Sequence, residues 1–256
     1  MSMFISMVYP DAVRLLTDGA TYGLDGTLTK IGRKVHAHDA LPIALTGRGS
    51  IEMIENIHDV LFAVASERGT VDGFIEALQG TIDAIREKID GRIHETQHCE
   101  LLIAMWSETT GGQQRYFITK DFPTREIRKF TIFTPGWFID AAPPVSGDDF
   151  DLVRRWIIED GQEFAIRHGA EAGDIWRRTP DCHPSNPTGP TSFLVGGQLD
   201  LTVISRKGVS VQTLRTWDDR IGEKIDPFHP RHAAQFAGMS RQQRRALERQ
   251  AKRRIA

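Results

Sequence analysis

Residues 2–21 read SMFISMVYPDAVRLLTDGAT. Met3 to Val8 is a run of apolar, strand-compatible residues, Tyr9-Pro10-Asp11 carries turn chemistry, and Ala12 to Thr17 is a second extended run. The pattern predicts two strands joined by a tight turn, ending on the polar stretch Asp18-Gly19-Ala20-Thr21. Extended runs recur at Thr27 to His36 and Leu41 to Thr46, so the chain opens on consecutive short strands.

Two helices are expected next. Ser50 is a good N-cap, Ile51, Ile54, Ile57, Leu61 and Ala65 recur at helical spacing, and Gly69 stops the first helix. Thr70 starts the second, with Val71, Phe74, Ile75, Leu78, Ile82, Ile85 and Ile89 forming an apolar stripe up to Gly91. Strands return at Cys99–Ser107, Arg115–Thr119 and Ile127–Thr134, with Gly111-Gly112 as the hairpin turn. After the Pro143-Pro144 break a helix is expected over Asp148–Arg167, then a polar surface excursion over Thr179–Pro190. Two final strands, Leu199–Ser205 and Val209–Trp217, flank Lys207-Gly208. Antiparallel strand runs separated by helices, without strict βα alternation, predict an α+β fold: a four-layer αββα sandwich.

The chain has 256 residues, 40% hydrophobic and 26% charged, proportions that exclude a disordered or collagen-like chain. No apolar run approaches the ~18 residues of a membrane span, and the N-terminus lacks a basic stretch followed by a long apolar one, so a cytoplasmic protein with no membrane partner is expected. Cys99 and Cys182 are the only two cysteines and form no CxxC, which excludes a disulfide framework and a zinc ribbon. The net charge is -2, yet residues 239–256 hold seven basic residues against the single acid Glu248, a local charge of +6 that leaves -8 on the rest. The expected organisation is one domain over residues 1–225, then a linker and basic C-terminal helix over residues 226–256.

Several of these stretches together resemble the proteasome β-type N-terminal-nucleophile hydrolases, a family that includes the peptidase subunit of the bacterial two-component ATP-dependent protease. The matching residues are Ser2-Met3-Phe4-Ile5-Ser6, Leu16-Thr17-Asp18-Gly19-Ala20-Thr21, Thr29-Lys30-Ile31 and Ala44-Leu45-Thr46-Gly47-Arg48-Gly49, with a further echo in Val195-Gly196-Gly197-Gln198-Leu199-Asp200-Leu201 and Arg206-Lys207-Gly208. The family starts its mature chain with a nucleophilic threonine and has a D-x-x-A-T type stretch sixteen residues later; counting back sixteen from Asp18 reaches Ser2 without a gap. The resemblance implies an amidohydrolase or peptidase with Ser2 as nucleophile after removal of Met1. A hydroxyl is a poor nucleophile until a base stands beside it, and an N-terminal residue carries its own base in the free α-amine, with an unperturbed pKa of ~7.7–8.0. Lys30, held by Asp18 through a charge-assisted bond, would favour the neutral amine, and Gly47 at a strand end would present its N–H to a developing oxyanion. Where the family has an aspartate beside its Gly-Gly loop, this chain has Ser192.

The resemblance also implies a homo-oligomer acting on a peptide or amide substrate, with no cofactor and no metal. The competing reading on the same fold is a catalytically inactive structural or assembly protein whose basic tail binds an acidic partner or nucleic acid. The tail offers a capping box, Ser240 with Gln243, few apolar anchors and no aromatic residue for base stacking, so it is expected to be a separable electrostatic module dispensable for folding. Thr46-Gly47-Arg48-Gly49-Ser50 also suits a phosphate cradle, but the third glycine position of that motif holds Glu52. The pairs His36 and His38, Cys182 and His183, and His229 and His232 lack a complete metal-ligand spacing.

Overall fold

The computed structural model describes residues 3–92, 98–121, 127–183, 186–229, 239–240, 242–243 and 245–249. The first two runs form the expected hairpin, β1 (Phe4–Val8) antiparallel to β2 (Val13–Asp18). Its outer edges are both occupied. β9 (Phe138–Ala141) pairs with β1, while β12 (Gln198–Ser205) pairs with β2 and with β13 (Gly208–Thr216), so the antiparallel sheet runs β13-β12-β2-β1-β9. A second antiparallel sheet runs β5-β6-β7-β8, from His36–Ala37, Ile43–Gly49, Cys99–Ser107 and Gly111–Ile118. Two small hairpins stand apart from these sheets, β3 (Ala20–Tyr22) with β4 (Leu28–Ile31) and β10 (Asp181–His183) with β11 (Asn186–Ser192).

Alternation along the strands sends side chains to opposite faces and divides the core. Phe4, Val13 and Leu15 of the first sheet meet Ala44, Leu102, Ala104 and Tyr116 of the second in one buried cluster. Ile5, Met7, Leu16 and Leu199 face the other way, against Phe164, Ile175 and Trp176. On the second sheet Ile43, Leu45, Leu101, Ile103 and Phe117 pack on Ile54, Leu61, Phe74, Leu78 and Ile82.

The helix pair forms as its periodicity demands, α1 over Ile51–Arg68 and α2 over Val71–Ile89. Ser50 Oγ accepts from Met53 N and Thr70 Oγ1 from Gly73 N. Gly69 between them has φ 69°, a left-handed C-cap that a side chain would strain. The Glu108 carboxylate in the β7–β8 turn accepts from Val71 N and Asp72 N, fixing the start of α2 to the second sheet.

Four expectations are corrected. Thr27–His36 is two strands, because the β3–β4 ladder ends at the bond from Gly32 N to Gly19 O and the chain then crosses to the second sheet. Ile127–Thr134 makes no strand beyond a single bridge of Phe133 to Tyr116; Phe130 there turns through φ 55° to bury its ring. The helix over Asp148–Arg167 breaks at Gly161, φ 48°, into α3 (Asp148–Asp160), a 3-10 turn (Gly161–Glu163) and α4 (Phe164–Arg167), followed by α5 (Gly169–Arg177). The excursion after Thr179 folds back as the β10–β11 hairpin instead of remaining irregular.

Near the end of the chain, residues 242–243 and 245–249 are helical, and Gln243 N donates to Ser240 Oγ while Ser240 N donates to Gln243 Oε1, as a capping box requires. Leu247 is partly buried against a cluster of Ala20, Tyr22, Leu28, Phe193, Ile225 and Phe228.

Candidate active site

Asp18 closes β2 and is 1% exposed. Its Oδ1 accepts from Met3 N at 3.1 Å and Lys34 Nζ at 2.6 Å, and its Oδ2 from Ala20 N at 3.1 Å and Gly196 N at 3.2 Å. A buried carboxylate is stable only when charge and hydrogen bonds replace its water, and here one cation and three amides do so. The carboxylate therefore ties the residue just before β1, the β2–β3 corner, the Gly-Gly loop and the buried lysine to one point.

Lys34, not Lys30, is this lysine. Lys34 is 4% exposed, and burial pulls its pKa below the ordinary lysine value against the opposing pull of Asp18, with Arg48 adding to the lowering. The carbonyl of Lys34 accepts from Thr46 Oγ1 at 3.2 Å, which locks the segment to β6. Lys30 sits on the exposed side of β4, so the expected Asp18–Lys30 bond is replaced by Asp18–Lys34. The physical reason is the chain crossing at Gly32: within the ladder Lys30 pairs opposite Thr21, whereas the released segment carries Lys34 under the end of β2. Lys30 and Lys34 nevertheless line one cleft of about 100 Å³, together with Thr21, Arg33, His36 and Glu55.

Gly47 lies where β6 approaches β7 so closely that a Cβ would stand 2.3 Å from Glu100 O and 3.3 Å from Ile54 Cδ1, a side chain of the same cleft. Ser2 lies outside the described residues. The structure thus brings Asp18 and Lys34 together, leaves Lys30 away from that carboxylate on the cleft wall, and sets Gly47 one side chain from the cleft.

Two supports escaped sequence reasoning. The Gly196-Gly197 loop is clamped by Arg177 and Asp219, which form a fully buried bidentate pair at 2.7 and 2.6 Å. Asp219 Oδ2 also accepts from Gly197 N, and Arg177 donates to Val195 O, so the pair holds the amide that Gly196 offers to Asp18. Gly197, φ 72°, has no room for a Cβ, which would stand 2.8 Å from Ile31. Arg177 and Asp219 are 42 residues apart, and no local pattern links them.

The second support is a polar cluster between the second sheet and the β10–β11 hairpin. Arg48 approaches Asp181 at 3.8 Å, and Tyr116 Oη donates to Glu100 at 2.8 Å. Burial raises the Asp181 pKa, opposed by Arg48, and burial together with neighbouring positive charge that includes His98 and Arg48 brings His183 down to about 4. One available signal was the alternation Ala44, Thr46, Arg48 on β6, which places all three on one face.

Among solved structures, the chain is similar to Anbu (ancestral beta-subunit) from Yersinia bercovieri, with a TM-score of 0.53 and 13% identity over 84% of this chain and 89% of that one. The chain has a proteasome-like fold. At 13% identity the likeness concerns the path of the backbone. No family model matches the sequence, and no curated protein matches it. Among the described residues no helix is long and apolar enough to cross a membrane.

Proposed function

We propose that the chain is an N-terminal-nucleophile amide hydrolase on a four-layer αββα sandwich of the proteasome β type. Ser2, exposed by removal of Met1, is the nucleophile and its α-amine the base. Ser2 Oγ adds to the substrate carbonyl while its proton passes to the amine; the oxyanion collapses, the C–N bond breaks, and the leaving nitrogen takes that proton. Water then releases the acyl group by the same route. Lys34 and Asp18 supply the electrostatic support, Lys30 lies at the rim of the cleft, and Gly47 offers its amide to the oxyanion.

The observation that carries this reading is the Asp18 carboxylate, shared by the amide of Met3 and the ammonium of Lys34. That arrangement sets a buried cation next to the residue following the proposed nucleophile. The resemblance further implies assembly with other copies, and the composition and charge pattern of the chain support a cytoplasmic location and the division at residue 225.

A second reading, an inactive assembly protein whose basic tail binds an acidic partner or nucleic acid, draws support from Ser192. A serine there brings a hydroxyl where the resemblance expects an aspartate, so that position supplies no second carboxylate. Treating the purified native chain with a β-lactone probe and mapping the adduct by mass spectrometry separates the two. Acylation of Ser2, lost in Ser2→Ala and in Lys34→Met, supports the hydrolase; a retained Met1, or an unlabelled chain, favours the inactive protein.

A further inference from the structure

A groove of about 660 Å³ lies between α3 and the segment 137–145. Its walls are apolar, chiefly Trp137, Phe150, Val153, Ile157, Ile158 and Trp176. Trp137 is 55% exposed, Phe150 51% and Ile158 68%, so three large apolar side chains stand in water around one depression. Scattered apolar side chains need no explanation, whereas a contiguous patch of this kind marks a contact surface.

The outward face of α3 says what fits there. Phe150, Arg154 and Ile158 follow one another at four-residue spacing, and Asp151, Arg155 and Glu159 run beside them, all six lining this groove or the adjoining depression of about 290 Å³. Asp148, Asp149 and Asp151 fill the first turn, and Arg154 and Arg155 come one turn later. Asp151, Arg154, Arg155 and Glu159 form no ion pair among the described residues and are exposed. An acidic turn followed by a basic one is complementary to itself when a second helix runs antiparallel: a two-fold axis near Val153 sets Asp151 of each copy against Arg155 of the other, twice. The same operation closes the apolar stripe of one copy over that of its partner.

We propose that this face is an isologous two-fold contact between two copies of the chain, built on α3 against α3. It stands independently of the hydrolase reading, since none of its residues belongs to the Asp18 site.

Sedimentation velocity on the full chain across micromolar concentrations tests it. The wild type is expected to self-associate. Ile158→Asp, Arg155→Asp and Asp151→Arg, all at exposed positions and each checked for an intact fold by circular dichroism, should each weaken association about tenfold or more. The deciding arm mixes Arg155→Asp with Asp151→Arg. One chain then supplies both carboxylates and the other both guanidiniums, so a mixed species forms although neither variant pairs with itself, and its affinity falls as salt rises. A monomeric wild type, association indifferent to all three substitutions, failure of the mixture to recover, or a monomer that instead binds an apolar peptide in the groove would each overturn the proposal.

Discussion

Buried at the end of β2, the Asp18 carboxylate exchanges water for four protein donors, and the energetic consequences of removing one of them are unequal. Lys34→Met leaves the carboxylate without its cation and should cost about 3–5 kcal/mol of stability in urea unfolding. Adding Asp18→Asn should recover part of that loss, because the pair then goes as a unit. Lys30→Met, on the exposed side of β4, should stay within about 0.5 kcal/mol of wild type. Equal losses at Lys30 and Lys34 would contradict the assignment. His183 carries a pH signature of its own. With its pKa brought from 6.5 to about 4, the folded chain binds this proton less readily than the unfolded one. Stability is therefore expected to be present above pH 6.5 and to fall as pH drops from 6.5 through 4. His183→Gln should flatten that limb of the unfolding-midpoint profile relative to wild type.

At the scale of elements, the Gly196-Gly197 loop is where backbone and site meet. Gly197→Ala meets both a positive φ and the Ile31 side chain, and should destabilise by about 1–3 kcal/mol while drawing Gly196 N away from Asp18. Arg177→Met strands the buried Asp219 and should cost about 3–5 kcal/mol, with slower acylation of Ser2 under the proposed chemistry. A stable Arg177→Met protein would show that the clamp is redundant. The α1–α2 pair presents the opposite case, for its caps, stripe and stop residues are all local, and it folded as its sequence demanded.

For the whole molecule, the tail is the informative part. Leu247 gives it an apolar anchor on the cluster around Tyr22 and Phe228, beyond the purely electrostatic attachment its charge implies. One partly buried leucine contributes little, so truncation after Gly238 should lower stability by no more than about 1–2 kcal/mol and keep unfolding cooperative. The same truncation should abolish salt-sensitive retention on heparin or nucleic acid, read by elution ionic strength. Loss of cooperative folding would instead make the tail part of the core.

The two extended runs of β1 and β2, the helix pair with its Ser50, Gly69 and Thr70 signals, and the placement of Asp18 at the end of a hairpin were legible in the sequence, because each depends on neighbours within a few turns or one tight turn. The order of strands and helices predicted an α+β fold, and the antiparallel sheets with their helices agree with that class, while the resemblance to the proteasome type finds its counterpart in the backbone likeness alone. What the sequence did not carry was which lysine reaches Asp18. Lys30 and Lys34 are chemically identical, and only the end of the β3–β4 ladder at Gly32, after which the chain crosses to the second sheet, exposes one and buries the other. The Arg177–Asp219 clamp and the Arg48–Asp181 approach were hidden for a related reason: each joins segments far apart along the chain whose meeting is set by sheet order and helix packing. Local propensity and periodicity determined the elements, while burial and long-range pairing, which exist only once the sheets have closed on their helices, selected the residues of the site.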